Sequence, residues 1–123
     1  MARILFVDDD LDTLHLLNMA VVLFWHLGLL ATSGEEAIRL AVKEPPDLIL
    51  LDMRMSDMDG ITVIKRILSN PSLVSIPIVM VSASPAIDLA DKAKAAGAKA
   101  YLQKPIQLQT LQDIIQKYTN ENK

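Results

Sequence analysis

The sequence contains no cysteine, so a disulfide framework and thiolate-held metals are excluded. Aromatic residues make up only 4% of the 123 residues, and glycines number four. An interior built from such a chain must be aliphatic, rich in Val, Ile, Leu and Ala. No basic stripe is present and the formal net charge is -3, which argues against direct nucleic-acid binding. The N-terminus reaches Asp8 too soon for a signal peptide. The longest apolar run, Met19 to Ala31, is interrupted only by His26 and falls short of the roughly 20 residues that span a bilayer. No membrane association is expected. The length suits one domain over residues 1–123, with a frayed tail over 119–123.

Short apolar runs alternate with amphipathic stretches along the chain. Strands are expected at Arg3 to Val7, His26 to Ala31, Asp47 to Leu51, Ile76 to Val81 and Ala100 to Leu102. Helices are expected at Asp10 to about Phe24, Ser33 to Lys43, Ile61 to Leu68, Pro85 to Ala96 and Leu108 to Tyr118. Ser33 is a natural N-cap, Pro45-Pro46 ends the second helix, and Gly97 closes the fourth. Strands separated by helices need crossovers, which gives a parallel sheet covered on both faces. The expected fold class is therefore α/β, a doubly wound five-stranded parallel sheet of order 2-1-3-4-5 with five helices.

In such a sheet ligands bind beyond the carboxyl ends of the strands. Asp8-Asp9-Asp10 follows the first strand, Asp52 the third, Ser82-Ala83 the fourth and Lys104-Pro105 the fifth. Each piece has an ordinary explanation: an acidic run favours a helix N-terminus, and Lys-Pro is a common loop pair. Their coincidence at the ends of parallel strands is what points to chemistry. Three carboxylates in one cleft repel unless a cation neutralises them, and hard oxygen ligands suit Mg²⁺. A carboxylate beside such an ion can attack a phosphoryl group, with an ammonium such as Lys104 and a hydroxyl such as Ser82 offsetting the charge. His15 and His26 have no second ligand near them in sequence and are not read as metal ligands or phosphate carriers.

Taken in order, these segments resemble the receiver domain of two-component response regulators, a flavodoxin-like fold. The resemblance runs from Ile4 to about Tyr118. Its pieces are Ile4 to Asp10, Ser33 to Ala37, Pro46 to Met53, Met58-Asp59-Gly60, Ile76 to Ala83 and Gly97 to Pro105. It implies that Asp52 accepts the phosphoryl group and that Asp9 ligates Mg²⁺ directly, with Asp8 acting largely through water. The Arg54 backbone carbonyl would complete the protein ligands. Ser82 and Lys104 would contact the phosphoryl group, and the bond before Pro105 would be cis. Tyr101 would act with Ser82 in switching, and Arg54 and Ser84 would tune dephosphorylation. The implied partners are a histidine kinase or histidine phosphotransfer protein upstream and an unknown protein, or effector domain, downstream. Signal output would pass through the face of the fourth helix, fifth strand and fifth helix. The location would be cytoplasmic. No enzyme turnover is implied beyond self-phosphorylation from a donor and slow autodephosphorylation.

Other readings are a phosphate-independent receiver-like scaffold or dimerisation module, and an aspartate-nucleophile phosphohydrolase. The latter needs a second acid two residues after the nucleophile, where this chain has Arg54. A nucleotide-binding reading lacks a Gly-x-Gly-x-x-Gly after the first strand. Two departures from the family pattern stand out. Ser56 replaces a proline in the loop after Asp52, and Trp25 replaces a glycine after the first helix. Met19, Val22 and Leu23 also fall on what should be the solvent face of that helix. This face is read either as a homodimer or docking surface, or as a repacked core with a few harmless exposed side chains.

Overall fold

The computed structural model describes residues 1–83 and 87–119. Five strands, β1 (Arg3–Val7), β2 (Leu27–Ala31), β3 (Leu48–Asp52), β4 (Ile78–Ser82) and β5 (Ala100–Gln103), alternate with five helices. The helices are α1 (Leu11–Leu23), α2 (Gly34–Lys43), α3 (Gly60–Leu68), α4 (Ile87–Ala96) and α5 (Leu108–Thr119). The strands form one parallel sheet in the order β2-β1-β3-β4-β5.

Every residue of β3 and β4 is buried, as expected of central strands covered on both faces. Their side chains alternate between two cores. One holds Ile49, Leu51 and Met80 under α2, α3 and α4; the other holds Leu48, Leu50 and Val79 under α1 and α5. Strand boundaries move by one or two residues from the sequence reading. The shift matters at Asp52, which belongs to β3, and at Ser82, which belongs to β4. Thr119, expected in the frayed tail, ends α5, and its hydroxyl donates to the Ile115 carbonyl at 2.5 Å. The start expected for the fourth helix at Pro85, the rate-tuning Ser84 and the tail beyond 119 lie outside the described residues.

Side-chain caps start three helices: Asp10 accepts from the Asp12 amide, Ser33 from Glu36 and Asp59 from Thr62. The end of α1 is unusual. The His26 amide donates to the Val21 carbonyl at 2.8 Å and the Trp25 amide to Val22 at 3.0 Å. This pair of bonds makes a Schellman closure, which requires a left-handed residue just past the cap. That residue is Trp25, with φ of 67°, a conformation costing a non-glycine residue about 1–2 kcal/mol. At α4 the same role falls to Gly97, with φ of 125°.

On α1 the core stripe and the outer face are separate. Leu14, Ala20 and Val21 supply its buried stripe, while Met19, Val22 and Leu23 lie on the exposed side and Trp25 is 84% exposed.

Candidate functional site

Sheet register brings the reactive residues to one edge. Val7 is level with Leu51, and Asp52 with Val81, so the residues just past β1 and at the end of β3 are neighbours. The ladders continue past the strands. The Asp8 amide donates to the Ala31 carbonyl at 3.0 Å, Met53 to Val81 at 2.9 Å and Lys104 to Ser82 at 2.8 Å. Asp8, Asp52, Ser82 and Lys104 are thereby held by backbone bonds to adjacent strands.

Asp8 and Asp52 are buried, with 4% and 8% of their surface exposed, and Ser82 is buried beside them in the sheet edge. The Lys104 ammonium donates to Asp8 Oδ2 at 2.8 Å and lies 3.5 Å from Asp52 Oδ2. The other Asp8 oxygen accepts the Asp10 amide at 2.9 Å, so Asp8 also shapes the turn into α1. Asp9 is exposed. One oxygen from each of Asp8, Asp9 and Asp52 falls in a group spanning no more than 4.8 Å.

Burial pushes the Asp52 carboxyl above its ordinary value; the charge of Asp8 adds to this, while Lys104 and the Arg54 backbone oppose it. For Lys104, burial works against the charged form. The hydrogen bond to Asp8 and the charges of Asp52 and Asp8 outweigh it and hold the ammonium above the usual lysine value. Three carboxylates faced by one ammonium leave an excess of negative charge. An all-oxygen donor set of this size, open to solvent at Asp9, fits a small hard divalent cation. A cleft of about 240 Å³ opens beside the cluster, walled by Thr13, Leu16, Leu17, Pro105 and Ile106.

The remaining predicted residues fall as follows. Tyr101 lies in β5 level with Met80, half-buried against the core beneath α2–α4. The Arg54 side chain is exposed, two residues beyond Asp52. The Lys104-Pro105 peptide is cis. His26 has a structural task, its Nδ1 accepting the Ala2 amide at 2.9 Å, and His15 is exposed on α1.

Nothing in the sequence points to Asp57. Its two carboxylate oxygens accept the Gly34 and Glu35 amides at 2.9 and 3.0 Å, so the loop after Asp52 caps the start of α2. These two bonds, the Gly34 bond first, hold its carboxyl below the ordinary value. No periodicity in the sequence announces a contact between residues so far apart in the chain.

Comparison with known proteins agrees with this fold. Residues 4–116 match the response regulator receiver domain family. Sporulation initiation phosphotransferase F of Bacillus subtilis is 32% identical over 116 residues, covering 94% of this chain and 92% of that protein. Transcriptional regulatory protein ZraR of Salmonella typhimurium is 38% identical over 116 residues, which cover 93% of this chain but 25% of that protein. Among solved structures, chemotaxis protein CheY4 of Vibrio cholerae superposes with a TM-score of 0.91 at 27% identity, covering 96% of this chain and 98% of that one. The receiver domain of sensor histidine kinase PA1611 from Pseudomonas aeruginosa, solved with a magnesium ion in its active-site cleft, gives 0.89 at 25% identity, with 98% of each chain covered. The chain belongs to the response regulator receiver domain family.

Proposed function

We propose that the chain is a phosphoacceptor that takes a phosphoryl group on Asp52 from a phosphohistidine of a histidine kinase or histidine phosphotransfer protein. The observation that carries this reading is the buried carboxylate of Asp52 set between two acids and the Lys104 ammonium. In the reaction an Asp52 oxygen forms the new bond to phosphorus while the bond to the donor's imidazole nitrogen breaks, and the imidazole leaves with the electron pair. Lys104 keeps Asp8 and Asp52 apart from bare repulsion before the reaction and neutralises a phosphoryl oxygen after it. Asp8, Asp9, Asp52 and the Arg54 carbonyl would hold Mg²⁺, which supplies charge neutralisation at the phosphoryl oxygens.

Phosphorylation adds acceptor oxygens that Ser82 and Lys104 can engage only in the modified state. Ser82 ends β4 and Lys104 follows β5, so new contacts there bias the β4–α4 connection and Tyr101. The output surface is the α4–β5–α5 face, read by a downstream protein or effector domain, and the setting is the cytoplasm. Catalysis is confined to accepting the group from a donor and losing it slowly to water, with Arg54 and Ser84 tuning that loss.

The test is incubation with Mg²⁺ and a small phosphodonor such as acetyl phosphate, followed by intact mass. A gain of one phosphoryl group, abolished in Asp52→Ala, is expected. An unmodified wild-type mass under conditions that label another receiver would leave the phosphate-independent scaffold as the correct reading.

A further inference from the structure

The outer face of α1 has no part in the phosphoryl chemistry, yet among the described residues it gathers several exposed large apolar side chains. Met19, Val22, Leu23 and Trp25 are all exposed, Leu23 by 75%. From Thr13 to Gly34 the sequence has no Asp, Glu, Lys or Arg. Trp25 is held out into solvent in a left-handed conformation at a position that favours glycine. A bulky apolar residue in that conformation opposes both solubility and backbone preference, so the monomer alone gives no reason for it.

We propose that this face pairs two copies of the chain across a two-fold axis beside Val22. Antiparallel apposition of the carboxyl ends of the two α1 helices about that point sets Met19 of each copy against Trp25 of the other, just past the helix, a favourable sulfur–aromatic contact. It sets Val22 against its own counterpart, as an isologous interface requires. Charge favours a second copy as the occupant. An acidic chain can approach itself without carboxylate repulsion only where acids are missing, and Asp12, the acid in the first turn of α1, falls outside the overlap.

Area agrees. With about 100 Å² for each aliphatic side chain and about 200 Å² for the tryptophan, full cover removes on the order of 500 Å² per copy. The pair then reaches about 1,000 Å², the lower bound for a specific interface and the range of a reversible dimer. Trp25 precedes the amino end of β2, whereas Asp52 lies at the carboxyl end of β3, so pairing leaves the acidic cluster accessible. The inference is independent of phosphorylation.

Sedimentation equilibrium from about 1 µM to about 1 mM tests it. The expected result is a monomer–dimer equilibrium with Kd in the micromolar range, roughly 10–100 µM. Trp25 emission should shift to the blue as concentration rises. Leu23→Glu should leave a monomer throughout with unchanged circular dichroism, since the side chain is exposed. Val42→Glu, on the exposed side of α2, should dimerise as wild type does. A wild-type monomer at every concentration would assign the face to a different protein and overturn the proposal. So would a dimer that survives both Leu23→Glu and Met19→Glu.

Discussion

At Asp52 burial and function pull in opposite directions. Its carboxyl is raised above the ordinary value of 3.8 chiefly because burial penalises the charged form. The folded state therefore binds a proton more tightly than the unfolded chain does. This contribution is favourable at low pH and is lost as pH rises through the folded value. Asp52→Asn should stabilise the metal-free protein at pH 7, and the gain should shrink toward pH 3. Thermal melts at the two pH values, in the presence of a chelator, would show it. Trp25 poses the converse problem, a backbone penalty at a side chain that is mostly exposed. Trp25→Gly should raise stability by about 1 kcal/mol when measured at dilutions where the chain is monomeric. A lower melting temperature would mean that the indole packs on its own chain. The sequence reveals the oddity of Trp25, because glycine is the residue such a helix end favours. It does not reveal the exposure, which depends on how α1 rolls against the sheet.

Elements were legible wherever local rules decide them. Strand and helix types follow from period and punctuation, and boundaries moved where a strand ran on into its loop: Asp52 and Ser82 read as post-strand residues because polarity suggests a loop, yet each is buried in the sheet. The β3–α3 loop was less legible, since what fixes it comes from α2. With Ser56 in place of proline, the loop lacks one φ restraint, and the Asp57 carboxylate ties it to the Gly34 and Glu35 amides instead. The carboxyl is held below its ordinary value of 3.8, so this stabilisation is complete above that value and is lost as pH falls through the lower, folded one. Asp57→Asn should melt below wild type at pH 7, and the two curves should converge in acid. It should also weaken Mg²⁺ binding several-fold, because the loop carries the Arg54 carbonyl. Equal affinity would show that the cap steadies α2 alone. At α4, Gly97→Ala should cost roughly 1–2 kcal/mol, since a Cβ there would lie 2.3 Å from Leu68 Cδ1 in a backbone conformation that L residues rarely adopt.

For the molecule as a whole, parallel topology converts sequence order into a site. Four segments spread from Asp8 to Lys104 meet because every strand of the sheet points the same way and the register keeps their ends level. That much follows from counting strands. The pairing of Lys104 with Asp8, closer than its approach to Asp52, does not; it depends on side-chain reach across β4 and β3. The pairing has a consequence for the coupling of cation and fold. Lys104 is engaged by two acids and cannot also neutralise Asp9, so the metal-free protein keeps unbalanced charge at the sheet edge. A ligand that binds only the folded state stabilises it by RT ln(1 + [L]/Kd), about 2.7 kcal/mol at a hundred times Kd. Mg²⁺ should therefore raise the melting temperature in a concentration-dependent way. Asp9→Asn should remove most of that rise while leaving the metal-free melt nearly unchanged, because Asp9 is exposed and the Lys104–Asp8 pair survives. If Mg²⁺ instead stabilised Asp9→Asn as strongly as wild type, the cation would be held by Asp8 and Asp52 alone. The direct-ligand role given to Asp9 would then have to be withdrawn.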